Sequence, residues 1–246
     1  MLKIWETNDF RRTLAGTSLI AAPLVLLAAE ALDPNTPQGD LGRTLAGIAD
    51  HPERLLAANL LNVLAIVLFV PAALGLLHLL RGPGRGTVLG HVGGGLFLVG
   101  LLGFMGYSAL NFVLLEMAAE GPVPAAVFEF GERLGASPGL GIVLLMWLGG
   151  FFLGLPVLTA GLYRAGVVSG WAAALVGLWV VVKLTLVRYS KLAEVSGFVL
   201  LLVGLGYVGL EVLRMSDERW ARADSQSPAE IEPPVEPRRL AENAAS

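Results

Sequence analysis

Residues 86–117 read GTVLGHVGGGLFLVGLLGFMGYSALNFVLLEM. The stretch is long enough to cross a bilayer, at about 20 apolar residues per crossing. Gly86, Gly90, Gly93, Gly94, Gly95, Gly100, Gly103 and Gly106 crowd its first two thirds. In water each would cost a helix on the order of 1 kcal/mol against alanine, and so many would argue for another conformation. In lipid the backbone must satisfy itself, so the helix persists and its small residues admit a neighbouring backbone. A glycine-rich apolar helix of this kind is expected at the hub of an all-α membrane bundle.

The remainder of the chain agrees with that setting. Of 246 residues 55% are hydrophobic and 15% charged, with a mean hydropathy of +0.70. Globular domains carry roughly 25% charge, and lipid exposure accounts for the deficit. A net charge of −3, with no basic stripe, points away from nucleic-acid partners. The absence of cysteine excludes disulfides, thiolate catalysis and thiolate metal sites.

Six apolar segments reach the length of a spanning helix. They are expected at Thr13–Leu32, Leu55–Leu80, Thr87–Met117, Leu140–Tyr163, Gly170–Val187 and Val195–Leu213. Pro71 and Pro156 fall inside two of them and should bend them. Residues 1–215 thus form a six-helix transmembrane domain. Ser216–Ser246, rich in Glu, Arg, Ala, Ser and Pro, reads as a disordered tail.

Orientation follows from basic residues near the helix ends. Lys3, Arg11, Arg12, Arg81, Arg85, Arg164, Arg214, Arg219 and Arg222 fall on the terminal side, against Arg43, Arg54, Arg133, Arg188 and Lys191 opposite. That bias places both termini in the cytoplasm of a multi-pass protein of the cell membrane. Two outer loops are long. One contains Asp40 through Ile48, a short helix behind an Asp cap. The other has Val127, Phe130 and Leu134 at helical spacing, which suits a helix lying in the interface. Arg11-Arg12, an apolar run and Ala29-Glu30-Ala31 also match a secretory signal. The run exceeds the usual 7–15 residues, so the helix is expected to be retained.

Pro71 to His78 and Pro156 to Arg164 each lead through a glycine-leucine hairpin into the next helix, a faint internal repeat. The second hairpin, Gly161-Leu162-Tyr163-Arg164-Ala165-Gly166-Val167-Val168-Ser169-Gly170-Trp171, resembles one found in uncharacterised bacterial multi-pass membrane proteins grouped under domains of unknown function. The resemblance implies a six- or seven-helix bundle in the bacterial inner membrane and brings no active site. Ser169-Gly170 stands where those proteins commonly have proline.

Ionisable residues within lipid are costly and mark candidate sites. Lys183 lies about 13 residues into its helix, roughly 20 Å along it at 1.5 Å per residue. Asn59 and Asn62 sit at similar depth, as do Tyr107 and Asn111, with Glu116 a turn higher and Glu30 ending the first helix. These groups are expected to form a polar layer, with Lys183, Asn59, Asn62, Tyr107, Asn111 and Glu116 as ligand-binding residues. The bland alternative is a snorkelling lysine and ordinary interhelical bonds. His78 and His91 fit interfacial positions better than haem or metal ligation, so no metal or cofactor is expected. Nucleotide-binding, zinc-protease and nucleophile-elbow motifs are missing. The leading expectation is a protein binding or transporting a small amphiphile through an outward-facing polar pocket, with the lipid bilayer as its surroundings. An intramembrane lipid- or isoprenoid-modifying enzyme using Glu116 and a structural or adaptor protein are the alternatives. Oligomeric state is not legible.

Overall fold

The computed structural model describes residues 4–34, 41–80, 85–119, 125–185 and 191–220. The expected Asp40 cap, the basic turn at 81–84 and the tail from 221 onward lie outside the described residues. Among the described residues there are helices and no strands. They are α1 (Ile4–Leu32), α2 (Leu41–Asp50), α3 (Pro52–His78), α4 (Arg85–Ala119), α5 (Ala125–Gly135), α6 (Pro138–Leu145), α7 (Phe152–Arg164), α8 (Gly170–Thr185) and α9 (Lys191–Arg214). A π-helical turn, Met146–Phe151, joins α6 to α7, so Pro138–Arg164 is one span.

The protein is an all-α membrane bundle. Among the described residues five helical spans are long and apolar enough to cross a membrane: Asp9–Leu32, Pro52–His78, Gly86–Ala118, Pro138–Arg164 and Val195–Arg214. The sixth apolar helix, α8, has 16 residues. At 1.5 Å per residue it is about 24 Å long, short of a ~30 Å hydrocarbon core. Leu60, Leu64, Val67 and Leu74 form an exposed stripe on α3, costly in water but natural against lipid tails.

Local chemistry sets the helix ends. Pro52 and Pro138 occupy first-turn positions, where proline's fixed φ and missing N–H carry no penalty. The Ser137 hydroxyl accepts from the Leu140 amide and caps α6. At the end of α7, Gly166 takes φ +73°, while Gly166 N–H donates to Tyr163 and Val167 N–H to Leu162. That pairing is a Schellman closure, and it explains the glycine in the Gly161–Trp171 hairpin. α1 starts nine residues before the expected apolar run because its polar first turns are tied down by Arg12. That guanidinium pairs with Asp9 at 2.6 Å and Asp217 at 2.7 Å and donates to the Met215 carbonyl.

Each spanning helix packs on the next apolar helix in sequence, the short α8 standing between α7 and α9, and α9 packs back on α1, closing a ring. The helix expected as a hub is a member of that ring, and α2, α3, α6, the π turn and α7 all pack against it. One face of α4 meets α3 and another meets the span Pro138–Arg164. Its glycines explain the second contact. A Cβ on Gly93, Gly100 or Gly103 would collide with the backbone of Leu158, Phe151 or Trp147. Reciprocally, Cβ atoms on Gly150, Gly154 and Gly161 would strike the backbone of Gly100, Phe97 and Gly90. Backbone thus lies on backbone from Gly90 to Gly103 of one span and from Trp147 to Gly161 of the other, as small residues allow in lipid. Gly90 and Gly94 differ, facing the side chains of Leu80 and Leu77.

The middle of the ring is filled by aromatic rings rather than by a helix. Phe69 of α3, Phe97 of α4 and Phe151 of the π turn lie 5.4–5.7 Å apart by centroid. Trp179 of α8 stacks on Phe152 at 5.1 Å and neighbours Phe198 of α9. Phe69, Phe97, Phe151 and Trp179 are 0–2% exposed. Edge-to-face pairs of this kind add roughly 0.5–1.5 kcal/mol each beyond burial.

At the terminal end the fold continues into the stretch read as tail. Trp220 is buried and stacks on His78 at 4.4 Å, with His78 Nε2 3.2 Å from the Trp220 carbonyl. At the opposite end α2 and α5 cap the bundle over a second small core of Leu45, Ile48, Leu55 and Ala118.

Candidate functional site

Tyr107 and Asn111 are four residues apart on α4, hence on one face. The Tyr107 ring stacks on Trp147 at 4.2 Å, and Trp147 stacks on Phe104 at 5.4 Å. Trp147 belongs to the π turn, whose extra residue per turn changes which side chains face inward; such turns recur at functional sites. Trp147, Phe151 and Phe152 all turn toward the bundle from this short stretch.

Beside this stack lies a cavity of about 200 Å³. Its walls are Tyr107, Leu110, Asn111 and Leu114 of α4, with Leu140 and Leu144 of α6. Leu41 of α2 and Gly131, Leu134 and Gly135 of α5 close it at the capped end. The lining is apolar apart from Tyr107 and Asn111. A Cβ on Gly131 would collide with the Leu41 side chain, so α2 and α5 touch above the cavity. Gly135 has open space where its side chain would be. The inward face of α5 is Phe128, Gly131 and Leu134, whereas Phe130 is exposed. Phe130 and Leu134, expected on one interfacial face, are therefore split between the outside and the cavity.

Lys183, Asn59, Asn62 and Glu116 do not line this cavity. Lys183 forms an ion pair with Glu30 at the end of α1, Nζ to Oε2 3.6 Å, and both side chains are at most 15% exposed. Its ammonium also sits 4.3 Å from the Phe198 ring centroid, a cation–π contact. The lysine neither reaches out to lipid nor enters the cavity, because α9 brings α1 and α8 together around it. Asn59 is buried, and its Nδ2 donates to the Ser108 carbonyl at 2.9 Å. Asn62 is half-buried and Glu116 exposed.

The polar layer is therefore present but divided. His78 and His91 do not form a pair: one stacks on Trp220, while the other is exposed and bonds the Thr87 carbonyl. Sequence reasoning missed Trp147 and Ser108. The cluster of aromatics at 147, 151 and 152 was the available signal for the first.

No protein-family model, curated protein or solved structure matches this chain.

Proposed function

We propose that the protein binds a small amphiphile in the cavity between α4, α5 and α6, with the capped end facing the outside of the cell membrane. The observation that supports this is the lining itself. Two converging hydrogen-bonding groups, Tyr107 and Asn111, stand in an otherwise apolar chamber. Ligand sites characteristically combine apolar walls with a few placed polar groups. At about 200 Å³ the chamber is smaller than the ~300–1,000 Å³ of drug-sized sites, so it suits one short apolar chain or ring. The polar end would meet Tyr107 and Asn111. The basic-residue bias described above supports the orientation.

The protein's resemblance to bacterial inner-membrane proteins belongs to the same proposal. An enzyme relying on paired carboxylates draws less support, because Glu116 is exposed and Glu30 is engaged by Lys183.

Native mass spectrometry of gently purified protein tests the binding. Asn111→Leu should remove one of the two polar groups of the lining at nearly unchanged volume. The wild type should retain a small amphiphile and Asn111→Leu should lose it. Equal retention by both proteins would refute the assignment.

A further inference from the structure

Asn59 and Ser108 face each other across the α3–α4 contact and are 2% and 1% exposed. The Asn59 amide nitrogen donates to the Ser108 main-chain carbonyl at 2.9 Å. Each of the two residues carries one further buried polar atom, the Asn59 amide oxygen and the Ser108 hydroxyl. Neither has a hydrogen-bond partner among the described residues. The other such buried atoms are N–H groups of Arg12, Trp179 and Trp220 and the Ser169 hydroxyl. Among the residues carrying these atoms, Asn59 and Ser108 are a pair joined to each other by a hydrogen bond.

An amide oxygen and a hydroxyl buried without partners are costly anywhere, and more so in a bundle with no bulk water around it. The two cannot be reconciled by a cation. A monovalent or divalent ion needs a fuller oxygen shell than one amide oxygen and one hydroxyl, since hard cations take about six oxygens or more. A water needs only two to four polar partners and can both donate and accept. We propose that Asn59 and Ser108 hold one buried water between α3 and α4. The water donates to Asn59 Oδ1, and its remaining hydrogen-bonding capacity meets Ser108 Oγ. Ser108 precedes Asn111 by one helical turn on the same face of α4, so the site lies just inward of the cavity wall. It would fasten the wall that carries Asn111 to α3, independently of whether the cavity binds an amphiphile.

A crystal structure at a resolution that shows ordered water is the direct test. A water peak about 2.7–3.2 Å from both Asn59 Oδ1 and Ser108 Oγ is expected. A dry site, with the hydroxyl turned to the Phe104 carbonyl one turn back, would overturn the proposal. Thermal unfolding gives a second reading. Ser108→Ala and Asn59→Leu should each lower the midpoint, and the double variant should lose less than the sum, because either change releases the same water. Additive losses would count against a shared water. Midpoints in sodium, potassium and choline chloride at equal ionic strength should coincide. A rise specific to one metal ion would replace the water with a cation and overturn the assignment.

Discussion

Gly100→Ala adds a single methyl group at the point where α4 lies against the π turn. The new Cβ would meet the Phe151 amide nitrogen and the Gly150 carbonyl carbon, both backbone atoms that no rotamer change can move. Two terms compete. Alanine gains up to about 1 kcal/mol over glycine in helix propensity. Overpacking costs about 1–3 kcal/mol, towards the upper end or beyond where a backbone must shift. Gly95→Ala supplies the reference, because it lies on the same helix, is exposed and has nothing within 4 Å of a new Cβ. Subtracting the two cancels propensity and leaves the collision, about 3 kcal/mol. At about 2–4 °C per kcal/mol for a chain of this size, the variants should differ by roughly 6–12 °C in thermal midpoint. Gly94→Ala should fall between them, since it meets only the Leu77 side chain, which can turn away. Unfolding monitored by tryptophan fluorescence in detergent measures all three. Equal midpoints for Gly100→Ala and Gly95→Ala would refute the backbone-to-backbone packing of these spans.

Lys183→Met should leave Glu30 buried without its cation and lower stability by about 3 kcal/mol, the low end for broken buried pairs. The double variant with Glu30→Gln should recover most of that loss, and a failure to recover would show that the lysine acts through other contacts. Trp220→Ala removes a ring that is 2% exposed and stacked on His78, and should cost about 3–5 kcal/mol by the same unfolding measurement. For orientation, cysteines introduced at Gly47 and Ala125 should react with an impermeant thiol reagent in intact cells, and those at Gly84 and Glu230 should not. Labelling at Gly84 alone would invert the proposed topology.

The helices were legible because hydropathy over 18 or more residues is a local property, and lipid leaves the backbone little alternative. The order of helices around the ring is not local. Lys183 shows the consequence. Its depth pointed to Asn59, Asn62, Tyr107, Asn111 and Glu116, yet depth cannot tell which helices adjoin, and α9 brings it to Glu30 instead. Tyr107 and Asn111 were legible as neighbours because four-residue spacing on one helix fixes a shared face. Their cavity was not, because its other walls come from α2, α5 and α6, where position depends on the Leu41–Gly131 contact and the π turn. The glycines announced a close approach, but a spacing on α4 says nothing about which partner carries Gly150, Gly154 and Gly161 in reply. Trp220 illustrates a different failure. A stretch rich in proline and charge reads as unable to order itself, yet its first residues are held by the Trp220 ring on His78 and by the Arg12–Asp217 pair.

The Glu30–Lys183 pair also sets a timetable for biosynthesis. Its two members are separated by 153 residues, from 183 minus 30. At about 5–20 residues per second, roughly 8–30 s pass between synthesis of the carboxylate and of its ammonium partner. α1 therefore enters the membrane with an acid at its end and neither α8 nor α9 yet available. During that interval Glu30 is served best by staying at the headgroup level or by carrying a proton, since an ionised acid within hydrocarbon costs several kcal/mol. α3, α4 and the Pro138–Arg164 span are complete earlier and can join through their glycines before the ring closes. The last helix made is thus the one that brings the first helix's charge to rest.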